Sequence, residues 1–243
     1  PPLLFNLNDL QKEANKKYGL PAARTLEIAQ ALYEKRKLIT YPRTESRHIT
    51  RSLAGTLDKR LAAVAAAEEY AAFAATAQKA GAPGKRYVDD GKVTDHTALL
   101  PTETRPKTGA LIPEESKIYD LVVRRFLAIF FPAARYKQTR VITETEGETF
   151  LTTGRVELEP GWKTVYASAP PDQPDQGEER EHDENPPLPE LARGEAVLAD
   201  HAEVREKKTK PPKRYTEATL LSTMEGAGRL LEEIGRASCR ERV

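Results

Sequence analysis

Leu7, Leu10, Ala14 and Tyr18 recur at helical spacing, with polar residues between them. Asn8, with Gln11 three residues on, reads as the capped start of that helix, and Gly19-Leu20-Pro21 as its end. A second helix follows. Leu26, Ala29, Leu32 and Tyr33 form its apolar stripe, and Arg24, Glu27, Glu34 and Lys35 lie off it. At Leu38-Ile39-Thr40-Tyr41 the pattern shifts to a short β-type run stopped by Pro42. Residues 49–78 are rich in alanine, the best helix former, which predicts helices there. Gly81-Ala82-Pro83-Gly84 breaks them, and 85–113 reads as loop and short strand. From Glu114 to Phe131, Ile118, Leu121, Val122, Phe126 and Ile129 face one way along another helix, and Pro132 stops it.

Beyond that point the periodicity becomes β-like. Arg140 to Thr143 and Phe150 to Thr153 read as strands about a turn near Glu146-Gly147, and Arg155 to Leu158 alternates up to Pro160-Gly161. Residues 169–189 are rich in proline and acid with almost no apolar content, the composition of an extended loop. A returning strand is predicted over 196–204, a basic linker from Lys207 to Arg214, and a new helix over 216–233 with Thr216 as its cap. The expected architecture is α+β and multidomain. It has a helical part (1–133), a β-rich part (134–206) carrying the acidic loop, and the start of a third part (207–233).

The chain has 243 residues, 39% of them hydrophobic, enough for a core. No apolar run approaches the ~18 residues of a membrane span. The N-terminus shows neither a leader nor a starting Met, so a piece of a longer, cytoplasmic, monomeric protein is expected. A single Cys excludes a disulfide framework or a cysteine-rich zinc site within the chain. The net charge is only +1, but its distribution is uneven. Residues 1–60 hold 12 Lys/Arg against 6 Asp/Glu, and 170–206 hold 3 against 12. A chain polarised in this way can hold a phosphate backbone despite a neutral sum, although solvated surface charge is the plainer explanation of such runs.

The candidate chemistry lies in Leu38-Ile39-Thr40-Tyr41-Pro42-Arg43-Thr44-Glu45-Ser46-Arg47. A tyrosine directly after a strand is held rigidly, and an arginine two residues on shares its face if the chain stays extended. A phenol with pKa about 10 is a weak nucleophile near neutrality. A guanidinium fork beside it favours phenolate, binds a phosphate and stabilises charge that builds up at phosphorus. Thr44, Ser46 and Arg47 supply further phosphate donors. Taken alone, a Tyr-Pro-Arg triplet is more often an ordinary core or surface tyrosine.

The wider stretch resembles the active-site segment of type IA DNA topoisomerases, roughly Leu-Ile-Thr-Tyr-Pro/Met-Arg-Thr-Asp-Ser, with Glu45 where that family more often has Asp. Leu7 to Ala14 and Thr25 to Glu34 are similar to the two helices that precede the family tyrosine. Asp95-His96-Thr97-Ala98-Leu99-Leu100-Pro101 is similar to its His-x-Ala-Ile-x-Pro segment. Pro211 to Leu221 resembles the start of its fourth domain, and Tyr-Pro-Arg is closest to the topoisomerase III branch. The resemblance implies a fold of a helical tyrosine-bearing domain followed by a β-rich arch. It implies Tyr41 as nucleophile forming a 5′-phosphotyrosine bond, Arg43 as clamp of the scissile phosphate, and His96 as a donor near it. It also implies Thr44, Ser46 and Arg47 as DNA contacts. The implied activity is ATP-independent cutting, strand passage and rejoining, with single-stranded DNA as partner.

Full catalysis in that family also uses Mg²⁺ on an N-terminal acidic domain. Asp89-Asp90 and Asp172-x-x-Asp175 lie in loops without a strand–helix context, so the Mg²⁺ is expected on other domains of the same polypeptide. This chain alone is then expected to be inactive. Residues 234–243 depart from the family pattern and resemble the translation of a short-read sequencing adapter, with a genuine basic tail as the rival explanation. Cys239 falls in that segment. Two other functions stay open: a non-catalytic single-stranded DNA-binding module, and a recombinase or type IB-like tyrosine enzyme. The second fits poorly, because Arg43 sits two residues from Tyr41 rather than far along the chain.

Overall fold

A computed structural model describes residues 1–106, 109, 111–167, 188–189, 191–198, 206, 208–209 and 211–227. The described chain is α+β and divides into two compact units. The first holds the helices: α1 (Leu7–Tyr18), α2 (Ala22–Glu34), α3 (Arg51–Ala54), α4 (Leu57–Val64), α5 (Glu68–Ala80), α6 (Pro113–Ala128), α7 (Thr164–Ala167) and α8 (Glu217–Glu225). The second holds an antiparallel hairpin of β1 (Arg135–Thr145) and β2 (Glu148–Glu159). Among the described residues no helix is long and apolar enough to cross a membrane.

The first unit is organised around α6. Ile118, Leu121, Val122, Val123, Phe126 and Leu127 are all buried, so nearly every side of this helix meets protein. Leu10 and Ala14 of α1, Ile28 and Leu32 of α2, Leu61 of α4 and Tyr70 of α5 complete the core. Complete burial of one such aliphatic or aromatic side chain contributes about 1.5–3 kcal/mol. A polar network of Tyr70, Asp120 and Arg124 enters this core. The Tyr70 hydroxyl donates to Asp120 at 2.9 Å, Arg124 Nε donates to the same carboxylate at 2.7 Å, and Arg124 Nη1 reaches the Val165 carbonyl. Burial pushes the Tyr70 phenol far up, so it stays a neutral donor.

Several elements differ from the sequence expectation. The α1 cap is Asn6, not Asn8; the Asn6 side-chain oxygen accepts from Asp9 N at 2.8 Å, and its amide donates to the Glu45 carbonyl at 3.2 Å. Leu38 to Tyr41 forms no full strand. A single antiparallel bridge joins Ile39 to Pro101, with Thr40 N donating to Leu100 O and Thr102 N to Leu38 O, both at 2.9 Å. The alanine-rich stretch is helical as expected, divided into three helices, α3 to α5. Residues 160–167 belong to the helical unit, not to the β-rich part, because Val165 is buried and Trp162 N bonds Pro132 O at 2.9 Å. Gly161 permits that approach: its φ is +53°, and a Cβ there would lie 2.6 Å from Pro132 O.

In the hairpin unit, β1 and β2 are longer than predicted and take in Arg155 to Leu158. Glu146 (φ +53°) and Gly147 (φ +83°) both adopt the left-handed conformation of a tight hairpin turn. The Arg155 guanidinium lies 3.7 Å from the Tyr136 ring centre. Residues 196–198 are not in a strand, and 199–205 lie outside the described residues, as do most of 169–189 and all of 228–243. The predicted helix from Thr216 is present as α8, with Thr216 Oγ1 accepting from Thr219 N at 3.2 Å.

Candidate active site

The segment after α2 turns at Lys37, a non-glycine residue at φ +56° whose carbonyl accepts from the Thr102 hydroxyl. That turn directs Leu38 to Thr40 along residues 98–102. Thr40 does double duty here. Its N–H bonds Leu100 O, and its hydroxyl accepts from Leu100 N at 3.0 Å and donates to Ala98 O at 3.2 Å. The next residue, Tyr41, is therefore presented from a backbone tied through Thr40 to residues 98–100.

Tyr41 is half-buried. Its ring meets the Tyr33 ring edge-on at 5.4 Å between centres, and the His96 ring tilted at 4.5 Å. The two neighbours confine the phenol plane, as aromatic contacts of this spacing do. Among the described residues the Tyr41 hydroxyl has no hydrogen-bond partner. His96 is exposed, and so is Arg43, which follows the buried Pro42 in the chain. With the Gln30 amide oriented to face it, Gln30 Oε1 accepts from Arg43 Nη2 at 3.0 Å and from Nε at 3.1 Å. That arrangement holds one edge of the guanidinium and leaves Nη1 outside both bonds.

Thr44 and Ser46 are buried, and their hydroxyls bond within the protein rather than facing outward. Thr44 Oγ1 donates to the His96 carbonyl at 3.2 Å and accepts from Ser46 N at 3.1 Å. Ser46 Oγ donates to Lys92 O at 3.0 Å and accepts from His48 N at 3.1 Å. These hydroxyls tie the Tyr41 segment to the loop that carries His96. Arg47 pairs with Asp9 and with Glu225, 2.9 Å from Nη2. His48, beside Ser46, has its imidazole pKa pushed down chiefly by burial, with the Lys92 charge adding to it.

The structure thus brings Tyr41 and His96 together, places Arg43 against Gln30, and gives Thr44 and Ser46 internal bonds. Gln30 and Tyr33 were passed over in sequence as helix positions. Their spacing of three, which puts both on one face of α2 toward the Tyr41 segment, is the signal that marks them. Among the described residues no group of three or more His, Cys, Asp or Glu gathers as a metal site. These described side chains do not fit a Mg²⁺ ion.

Residues 1–243 match a family model described as DNA topoisomerase. The chain is 39% identical over 232 residues to DNA topoisomerase 3 of Bacillus subtilis strain 168, and 42% identical over 232 residues to DNA topoisomerase 3 of Bacillus cereus strain ATCC 14579. Each alignment covers 95% of this chain and 31% of the relative. The fold is similar to that of full-length topoisomerase I from Thermotoga maritima, with a TM-score of 0.61 and 26% identity, over 93% of this chain and 35% of that one. The chain spans about a third of the length of the relatives it matches.

Proposed function

Because the chain belongs to the type IA DNA topoisomerase family, we propose that it is the tyrosine-bearing part of an isomerase that changes DNA topology, with Tyr41 as nucleophile. The observation that carries this reading is the confinement of the Tyr41 ring between Tyr33 and His96, with its hydroxyl unpartnered among the described residues.

The proposed step is an in-line transfer on single-stranded DNA. The Tyr41 phenolic oxygen attacks phosphorus and loses its proton, and the bond from phosphorus to the 3′-oxygen of the preceding nucleotide breaks. That oxygen takes up a proton and leaves as a 3′-hydroxyl, while the phosphate stays on Tyr41 as a 5′-phosphotyrosine. One phosphoester is exchanged for another, so rejoining by attack of the 3′-hydroxyl restores the strand without ATP. Arg43 clamps the scissile phosphate through the edge not used by Gln30, and its fixed charge favours the pentavalent transition state. His96, tilted against the Tyr41 ring, donates to a phosphate oxygen. Thr44 and Ser46 act as positioning residues through the His96 loop. Mg²⁺ chemistry and strand capture belong to other domains of the polypeptide, so the isolated chain binds DNA without completing a cycle.

The test is trans-complementation. The acidic N-terminal domain, Mg²⁺ and a labelled oligonucleotide are mixed with this chain, and a denaturant-stable adduct is sought. An adduct that disappears in Tyr41→Phe is expected. Salt-sensitive binding with no adduct would instead favour a non-catalytic single-stranded DNA-binding module.

A further inference from the structure

Lys12 of α1 and Arg47, six residues beyond Tyr41, converge on one carboxylate. Lys12 Nζ donates to Glu225 Oε2 at 2.8 Å, and Arg47 Nη2 donates to Glu225 Oε1 at 2.9 Å. Asp9 holds the same two cations from α1, at 2.9 Å from Lys12 Nζ and through Arg47 Nε. Asp9 and Asn6 share the α1 start, so both cations are aimed by the element that also bonds the Glu45 carbonyl. Lys12, Arg47 and Asp9 line a cleft of about 350 Å³ together with Phe5, Glu13 and Arg125. Without Glu225, the cluster of Asp9, Lys12 and Arg47 carries one net positive charge and has an open place for an anion.

The helix that brings Glu225 lies along α1 without any fully buried side chain. No side chain of α8 is buried, and Leu220 and Met224 are 46% and 65% exposed. Its backbone and side chains also bond the first unit: Glu217 accepts from Ala22 N, and Asn15 Oδ1 accepts from Ala218 N. Exposed ion pairs and single hydrogen bonds of this kind contribute little each and are screened by salt. An anion that satisfies Lys12 and Arg47 equally well therefore competes with the Glu225 carboxylate for them.

We propose that Lys12 and Arg47 form a phosphate subsite for single-stranded DNA, and that Glu225 occupies it as a stand-in for the phosphate. The two carboxylate oxygens bridge an ammonium and a guanidinium as two non-bridging phosphodiester oxygens do. Arg47 belongs to the same segment as Tyr41, so this subsite lies along the chain that presents the nucleophile. The proposal rests on the DNA-acting reading above and extends it to Lys12 and Glu225, which that reading does not use.

The test measures affinity of the 243-residue chain for a short single-stranded oligonucleotide across a salt series. Glu225→Gln is expected to bind ~5-fold more tightly at low salt, and its log–log salt slope to steepen by about 0.7, the release expected for one further neutralised phosphate. Lys12→Gln added to Glu225→Gln is expected to remove both gains. Glu225→Ala is measured beside it, so that one destabilised variant does not decide the matter. Wild-type binding that neither Glu225 variant changes would overturn the subsite while leaving the DNA-acting reading intact. No DNA binding by any form would overturn both. Inorganic phosphate is titrated at matched ionic strength. If Glu225→Gln gains affinity for phosphate and none for the oligonucleotide, the site is one for small anions and the DNA assignment falls.

Discussion

The loops around Tyr41 and the β1–β2 hairpin invert the usual relation between regularity and order. The hairpin is regular, with register kept from Tyr136 to Thr145, yet Ile142, Phe150 and Leu151 stay 62%, 58% and 56% exposed. The Tyr41 segment has almost no regular structure, yet Thr44, Ser46, Ile39 and Ile49 in it are buried. A backbone ladder alone leaves a two-stranded hairpin marginal in water. Buried side chains and hydroxyl–carbonyl bonds fix a loop without any ladder. Position in this molecule is set by what is buried, not by what repeats.

The sharpest way to break that contrast is to cut into each region in turn. Phe126→Ala in α6 is expected to destabilise the helical unit by ~3–5 kcal/mol, whereas Phe150→Thr on the hairpin surface is expected to stay within ~0.5 kcal/mol. Denaturant unfolding of the two variants decides it, and similar losses would show that the hairpin is packed as well. Next in size is Thr44→Val, which keeps the volume but leaves the His96 carbonyl and the Ser46 amide without their partner. A loss of ~1–3 kcal/mol is expected, together with slower adduct formation in the trans-complementation assay, and Thr44→Ser should restore both. The smallest effect concerns α8. Hydrogen bonding to Lys12 is the largest influence on the Glu225 carboxyl and holds it below its ordinary 4.5, against opposing desolvation and the facing charge of Asp9, with Arg47 adding to the pull. The folded state thus binds this proton more weakly than the unfolded chain does. The contribution is complete above the ordinary value and is lost as pH falls through the depressed one. Hydrogen exchange of α8 amides, corrected for intrinsic rate, should speed up selectively below that range, with α6 unchanged.

The helices were legible in the sequence because their signals are local. The α6 stripe, the Gly19 stop and the Thr216 cap each lie within a few residues of what they control. The Asn6 cap was missed because Asn8 carries the same side chain two residues on, and only the contact with Glu45 separates them. Tyr41, Arg43 and His96 stood out by motif. The hydroxyls of Thr44 and Ser46 read as outward donors, but their partners are carbonyls of His96 and Lys92, some fifty residues away, which no spacing rule encodes. Gln30 and Tyr33 were hidden by their membership of an ordinary helix pattern: a residue within or beside an apolar stripe looks the same whether it packs in the core, faces water or meets another loop.

The approach of Gly161 to Pro132 has a consequence for how this chain can vary. The hairpin leaves the helical unit after Ala134 and returns at Pro160, and the two ends are clasped by Trp162 N on Pro132 O. Closure of the excursion is thus completed by the helical unit itself. Residue pairs inserted or deleted at the Glu146–Gly147 tip lengthen or shorten the ribbon by one rung without displacing either end, and extra loop length costs little in closure entropy. The hairpin is a graftable module: its length can change while the two chain ends that carry it stay clasped through one glycine.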